Sequence, residues 1–114
     1  MNVATEFDLG PLTWVKGEID LALGRAEEAL AAWVAGGDPT QVKFCRTHVH
    51  QVNGALDIVG LSGVTELTEL LEALLLDVEE GRLAAAAIVH EVAAEALAAL
   101  RQYLDDLIAG EAHQ

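Results

Sequence analysis

The chain has 114 residues, a net charge of −13 and 53% apolar residues, which suits one domain with a sizeable core and excludes disorder, where high charge goes with few apolar side chains. So acidic a balance excludes a nucleic-acid backbone or an anionic membrane surface as partner, since both call for a basic footprint. The longest apolar run, Leu83 to Val89, is too short to span a bilayer; Glu6 and Asp8 stand where a leader peptide would be basic; and the single Cys45 points to a reducing, cytoplasmic setting.

Four helices are expected, over 11–35, 39–60, 63–80 and 83–109, and no strand-like alternation interrupts them. The first opens after Gly10-Pro11, with proline tolerated in the first helical turn. Its apolar stripe is Leu12, Val15, Ile19, Ala22, Ala26, Ala29 and Trp33. Gly36-Gly37 ends it, and Asp38-Pro39 reads as an N-cap and an N1 proline for the second helix. That helix has its stripe at Val42, Cys45, Val49, Val52, Leu56 and Val59. Gly60-Leu61-Ser62-Gly63 is the next break. The third helix offers Val64, Leu67, Leu71, Leu74 and Val78, widened by Leu70 and Leu75, and Gly81 closes it as the residue after the C-cap. The fourth is rich in alanine, the best helix former. Its stripe is expected at Val89, Val92, Ala96, Ala99, Tyr103 and Leu107, flanked by Leu100. Such stripes, joined by short loops, predict an all-α antiparallel four-helix bundle over 10–110, with tails at 1–9 and 111–114.

The second helix carries the chemistry. Projected at about 100° per residue, His50 falls roughly 130° from the centre of the apolar stripe and is expected to be exposed. Gly54 lies one turn further on the same side, with Lys43, Arg46, Thr47, Gln51 and Ile58. His48 lies on the flank of the core, nearly opposite. A solvent-facing mid-helix glycine costs about 1 kcal/mol against alanine, so Gly54 suggests that something approaches closely beside His50. Ile58 fits the edge of a contact patch. Lys43 and Arg46 are two of only six basic residues in the chain, and they make this face suited to an acidic partner or to a phosphoryl group on the histidine. By contrast, Cys45 reads as a buried thiol, His90 as an isolated surface residue, and the acids of the third helix as a solvated face.

The run His50-Gln51-Val52-Asn53-Gly54-Ala55-Leu56-Asp57-Ile58-Val59-Gly60 resembles the signature of histidine phosphotransfer (Hpt) domains. That signature has histidine, a hydrophobe two residues on, usually lysine at the third position, glycine at the fourth, a small residue next and glycine at the tenth. The third helix, with Leu71-Glu72, also looks like the family. A narrower resemblance rests on Leu12-Thr13-Trp14-Val15-Lys16-Gly17-Glu18-Ile19 and on Phe44 to Gly54. These are similar to the N-terminal modules of the CheA-type hybrid histidine kinases of type IV pili and twitching motility (the PilL/ChpA family, with its FimL-like scaffold relatives).

The resemblance implies that His50 accepts a phosphoryl group from a histidine kinase core and passes it to a response-regulator receiver domain. Asn53 and Arg46 would neighbour the phosphate, while Lys43, Thr47, Gln51, Gly54 and Ile58 would dock the partner. Mg²⁺ and ATP would belong to the kinase or receiver, with no cofactor of the chain's own, no nucleic acid and no membrane insertion. Asn53 stands where the family usually has lysine, and it donates hydrogen bonds without adding charge. That departure supports an alternative: a pseudo-Hpt module that binds a scaffold or polar-hub protein without being phosphorylated. A metal site in the bundle is not expected, because no histidine has an acidic residue three positions before it.

Overall fold

Local signals at the chain's three glycine breaks place its helices. A computed structural model describes residues 10–83 and 86–112, and within them the helices are α1 (Gly10–Gly36), α2 (Pro39–Ile58), α3 (Ser62–Glu79) and α4 (Ala86–Ala112). Asp38 caps α2 as expected: its Oδ1 accepts from the Thr40 amide at 2.9 Å, and Pro39 occupies the first turn. Gly60 and Gly81 end α2 and α3 in the same way. Each has a left-handed φ, of 86° and 80°, that an L side chain rarely adopts. The Leu61 amide donates to the Leu56 carbonyl at 2.9 Å, and Arg82 to Asp77 at 2.7 Å. Both bonds close the helix end on carbonyls that would otherwise be orphaned. α4 continues through Gly110 to Ala112 rather than breaking at 110. Leu83 lies outside α4, whose described residues begin at Ala86, so the expected start at 83 is too early; residues 84–85 and the tail at 1–9 lie outside the described residues.

The helices form a ring in which α1 packs on α2 and α4, and α3 on α2 and α4. The α1–α2 and α2–α3 seams are extensive, and the α3–α4 seam is sparse. Ion pairs tie α1 to α4: Lys16 lies 2.5 Å from Asp105, and Arg101 lies 2.8 Å from Glu27. The expected stripes of α1 and α2 are the buried ones, with Val15 and Val59 half-buried.

α3 and α4 differ from expectation. On α3, Leu71 and Leu75 are buried, but Leu67 and Leu70 are exposed, and Thr65 and Thr68 take inward positions. On α4 the buried row is Val89, Ala93, Leu97, Leu100 and Leu104, whereas Val92, Ala99 and Tyr103 face outward. Both helices carry two adjacent apolar rows at helical spacing, and only packing selects between them.

Cys45 is fully buried in this core, and burial pushes its thiol up to about 12 from 9.0. Its neutral form therefore contributes stability below the unfolded value near 9, and that contribution is lost as pH rises toward 12. The folded protein is expected to resist thiol reagents at pH 8 and to label fully once unfolded in urea. Rapid native labelling would place Cys45 outside the core.

Candidate functional site: the histidine face of α2

The histidine face is built where α2 lies along α3. Three polar contacts cross this seam in order. Near the start of α2, Arg46 grips Glu79 with two guanidinium nitrogens, at 2.7 and 3.3 Å. One turn on, His50 Nδ1 meets Glu72 Oε1 at 2.9 Å. Below it, Thr68 Oγ1 lies 2.7 Å from Asn53 Oδ1 and 2.9 Å from the Thr65 carbonyl. Residue numbers rise on α2 as they fall on α3, as an antiparallel pair requires.

The His50 side chain is 72% exposed, so its outward placement agrees with the helical projection. Its contact with Glu72 also assigns the ring's proton. An ionised carboxylate can only accept, so Nδ1 is the donor in this contact, and in the neutral ring that leaves the lone pair to Nε2. The imidazole is thereby held by one nitrogen on a largely exposed side chain. Glu72 was expected on a solvated acidic face, but it is committed to His50. Its register shows a different role: Thr65, Thr68, Glu72 and Glu79 follow one another at steps of three, four and seven. They form a polar row that borders the buried Leu71 and Leu75 and runs along α2. That spacing was the available signal.

The other expected site residues are exposed or committed to varying degrees. Lys43 is exposed. Arg46 is half-buried and neutralised by Glu79, whose carboxyl it holds below the usual carboxylate range with help from the Lys43 charge. Thr47 returns its hydroxyl to the Lys43 carbonyl at 2.9 Å. Gln51 is exposed, and its Oε1 lies 3.1 Å from His48 Nδ1. Asn53 is half-buried and turned toward α3. The single Thr68 proton can serve only one of its two neighbours, so an Asn53 amide turned to donate to the hydroxyl would satisfy both contacts.

Gly54 is exposed, and a Cβ added there would meet nothing within 4 Å. Gly54→Ala is accordingly expected to raise stability by up to about 1 kcal/mol through helix propensity alone. Urea unfolding checks this, and destabilisation would mean that the site is crowded.

His50, Gly54 and Ile58 are spaced by four residues and line one row of α2 over about 12 Å. The row ends in an apolar patch: Ile58 is 84% exposed, and Trp14 of α1 is 90% exposed. The two line one shallow depression with Gly10, Pro11, Val15 and Val59. Trp14 was visible in the sequence only as part of a resemblance. No helix among the described residues is long and apolar enough to cross a membrane. Against known proteins, the family model described as the Hpt domain matches residues 12–110. No curated protein and no solved structure matches the chain.

Proposed function

The chain belongs to the Hpt domain family, whose members carry phosphoryl groups between histidine kinases and receiver domains in two-component systems, and from that premise we propose that His50 is its phosphoacceptor. The observation that carries this reading is the exposed imidazole held by Glu72 through Nδ1.

In the forward step the Nε2 lone pair attacks the γ-phosphorus of ATP bound to a kinase core. The N–P bond forms as the bond to the leaving ADP oxygen breaks. The ring gains positive character, and the Glu72 carboxylate at Nδ1 stabilises it. In the second step an aspartate carboxylate of a receiver attacks the same phosphorus, and the electron pair of the N–P bond returns to Nε2. The chain supplies position rather than catalysis. Gly54 allows the partner to approach beside His50, and Ile58 with Trp14 offers an apolar contact about 12 Å along the helix. Lys43 is an exposed cation of this face, Thr47 and Gln51 form its polar rim, and Arg46 and Asn53, one turn to either side of the histidine, are the phosphate-neighbouring residues of this reading. The resemblance of the Leu12–Ile19 and Phe44–Gly54 segments to the pilus-kinase modules favours a chemotaxis-type kinase of type IV pili, in the cytoplasm, as the setting.

The test is incubation with the cognate kinase core, ATP and Mg²⁺, followed by addition of a receiver. Acid-labile label should appear on the chain and leave it when the receiver is added. Glu72→Ala should slow labelling by about 10–100-fold, by analogy with the cost of removing a carboxylate that orients a metal-bound imidazole. An unchanged rate would leave Glu72 without a role.

One observation favours a second reading. Asn53 brings no charge and is engaged with Thr68, so the face lacks the usual cation one turn from the histidine. In that reading the same surface binds a scaffold or polar-hub protein without phosphorylation, and a chain that takes up no label yet binds such a protein through Ile58 and Trp14 would establish it.

A further inference from the structure

The sparse α3–α4 seam leaves an apolar groove of about 680 Å³, lined by Leu61, Val64, Leu67, Ala99, Leu100 and Tyr103. It lies on a different seam of the bundle from the α2–α3 contacts that hold His50. Leu67 on α3 and Tyr103 on α4 line it and are exposed, and Leu70, Ile88 and Val92, elsewhere on the same two helices, are exposed as well. A helix normally buries its apolar stripe, and contiguous exposed apolar patches mark contact sites.

We propose that this groove receives a basic amphipathic helix of a partner protein. Val64 and Leu67 on α3 and Ala99 and Tyr103 on α4 repeat along the groove at helical spacing, the pattern into which a helix lays its anchors at i, i+3, i+4 and i+7. Charge identifies the occupant. Glu66 on α3, next to Leu67 in sequence, and Glu95 and Asp106 on α4, one turn before Ala99 and one turn after Tyr103, are exposed. The cations of the neighbouring segments are committed elsewhere: Arg101 to Glu27 and Asp20, Arg82 to Asp77 and Glu80. A helix with lysine or arginine flanking its apolar face complements this rim. A second copy of the chain does not, because its net charge is −13 and the same acidic rims would face one another. The site does not depend on phosphorylation of His50, and it leaves the His50 row open to another partner.

The probe is a labelled synthetic 18-residue helix, with leucines at i, i+3, i+4 and i+7 spacing and flanking lysines. A matched peptide carries glutamates in place of the lysines. Binding to the full chain is read by fluorescence anisotropy at low and moderate salt. The lysine peptide should bind, more weakly as salt rises, and the glutamate peptide should not. Leu67→Gln combined with Tyr103→Ser should weaken binding at least about tenfold, which corresponds to about 1.4 kcal/mol. Both positions are exposed, so circular dichroism and His50 labelling should be unchanged. The inference is overturned if the two peptides bind alike, if the double variant binds like the parent, or if Trp14→Ser and Ile58→Gln abolish binding instead. It is also overturned in favour of self-association if sedimentation shows a dimer that Leu67→Gln dissociates. Because His50 labelling is read in the same samples, failure here is distinguishable from failure of the phosphotransfer proposal.

Discussion

His50→Gln is expected to abolish acid-labile phosphoryl labelling while leaving the bundle folded. Glutamine cannot supply the imidazole nitrogen that forms the N–P bond, so the loss should be complete rather than partial. Stability should stay within about 0.5 kcal/mol, because the side chain is 72% exposed and its polar contact among the described residues is a pair with Glu72. Labelling by the kinase core, together with urea unfolding, reads both parts. His48→Gln is the control, since that ring is half-buried on the other flank and contacts only Gln51 among the described hydrogen bonds. Label that survives in His50→Gln and vanishes in His48→Gln would move the acceptor.

The largest expected effect on stability comes from Leu56→Ala. Leu56 is fully buried on the core side of α2, and truncation there removes apolar contacts and leaves a cavity. The expected cost is about 2–5 kcal/mol, a large share of a total stability of about 5–15 kcal/mol. Ile58→Ala, two residues further on the same helix, should change stability by less than about 0.5 kcal/mol because that side chain is 84% exposed. It should weaken docking to a receiver instead. Urea midpoints for the pair, with an unchanged denaturant slope, would separate the core side of α2 from its contact side. A small effect at Leu56 would mean that the core collapses around the gap.

The helix ends were legible because their causes are local. Asp38-Pro39, Gly60 and Gly81 act through their own dihedrals and hydrogen bonds with neighbours in sequence. The rotation of α1 and α2 was legible because each has one dominant apolar stripe. His50, Gly54 and Ile58 were therefore placed outward from periodicity alone, and the structure puts them there. The same reasoning missed Thr65 and Thr68 as buried positions, because their hydroxyls are satisfied inside and so cost little there.

What the sequence determined by itself was an all-α chain, its helix boundaries to within a few residues, and the histidine row of α2. Each follows from propensity, capping and a single periodicity within one segment. Two matters were decided only by tertiary structure. The first is which of two equally periodic apolar rows α3 and α4 bury. Leu71 and Leu75 were chosen over Leu67 and Leu70, and the row through Ala93, Leu97 and Leu104 over Val92, Ala99 and Tyr103. The neighbouring helices fill one row and leave the other open. The second is how the histidine is held. Glu72 is 22 residues away in sequence, and only the antiparallel register of α2 on α3 brings its carboxylate to Nδ1.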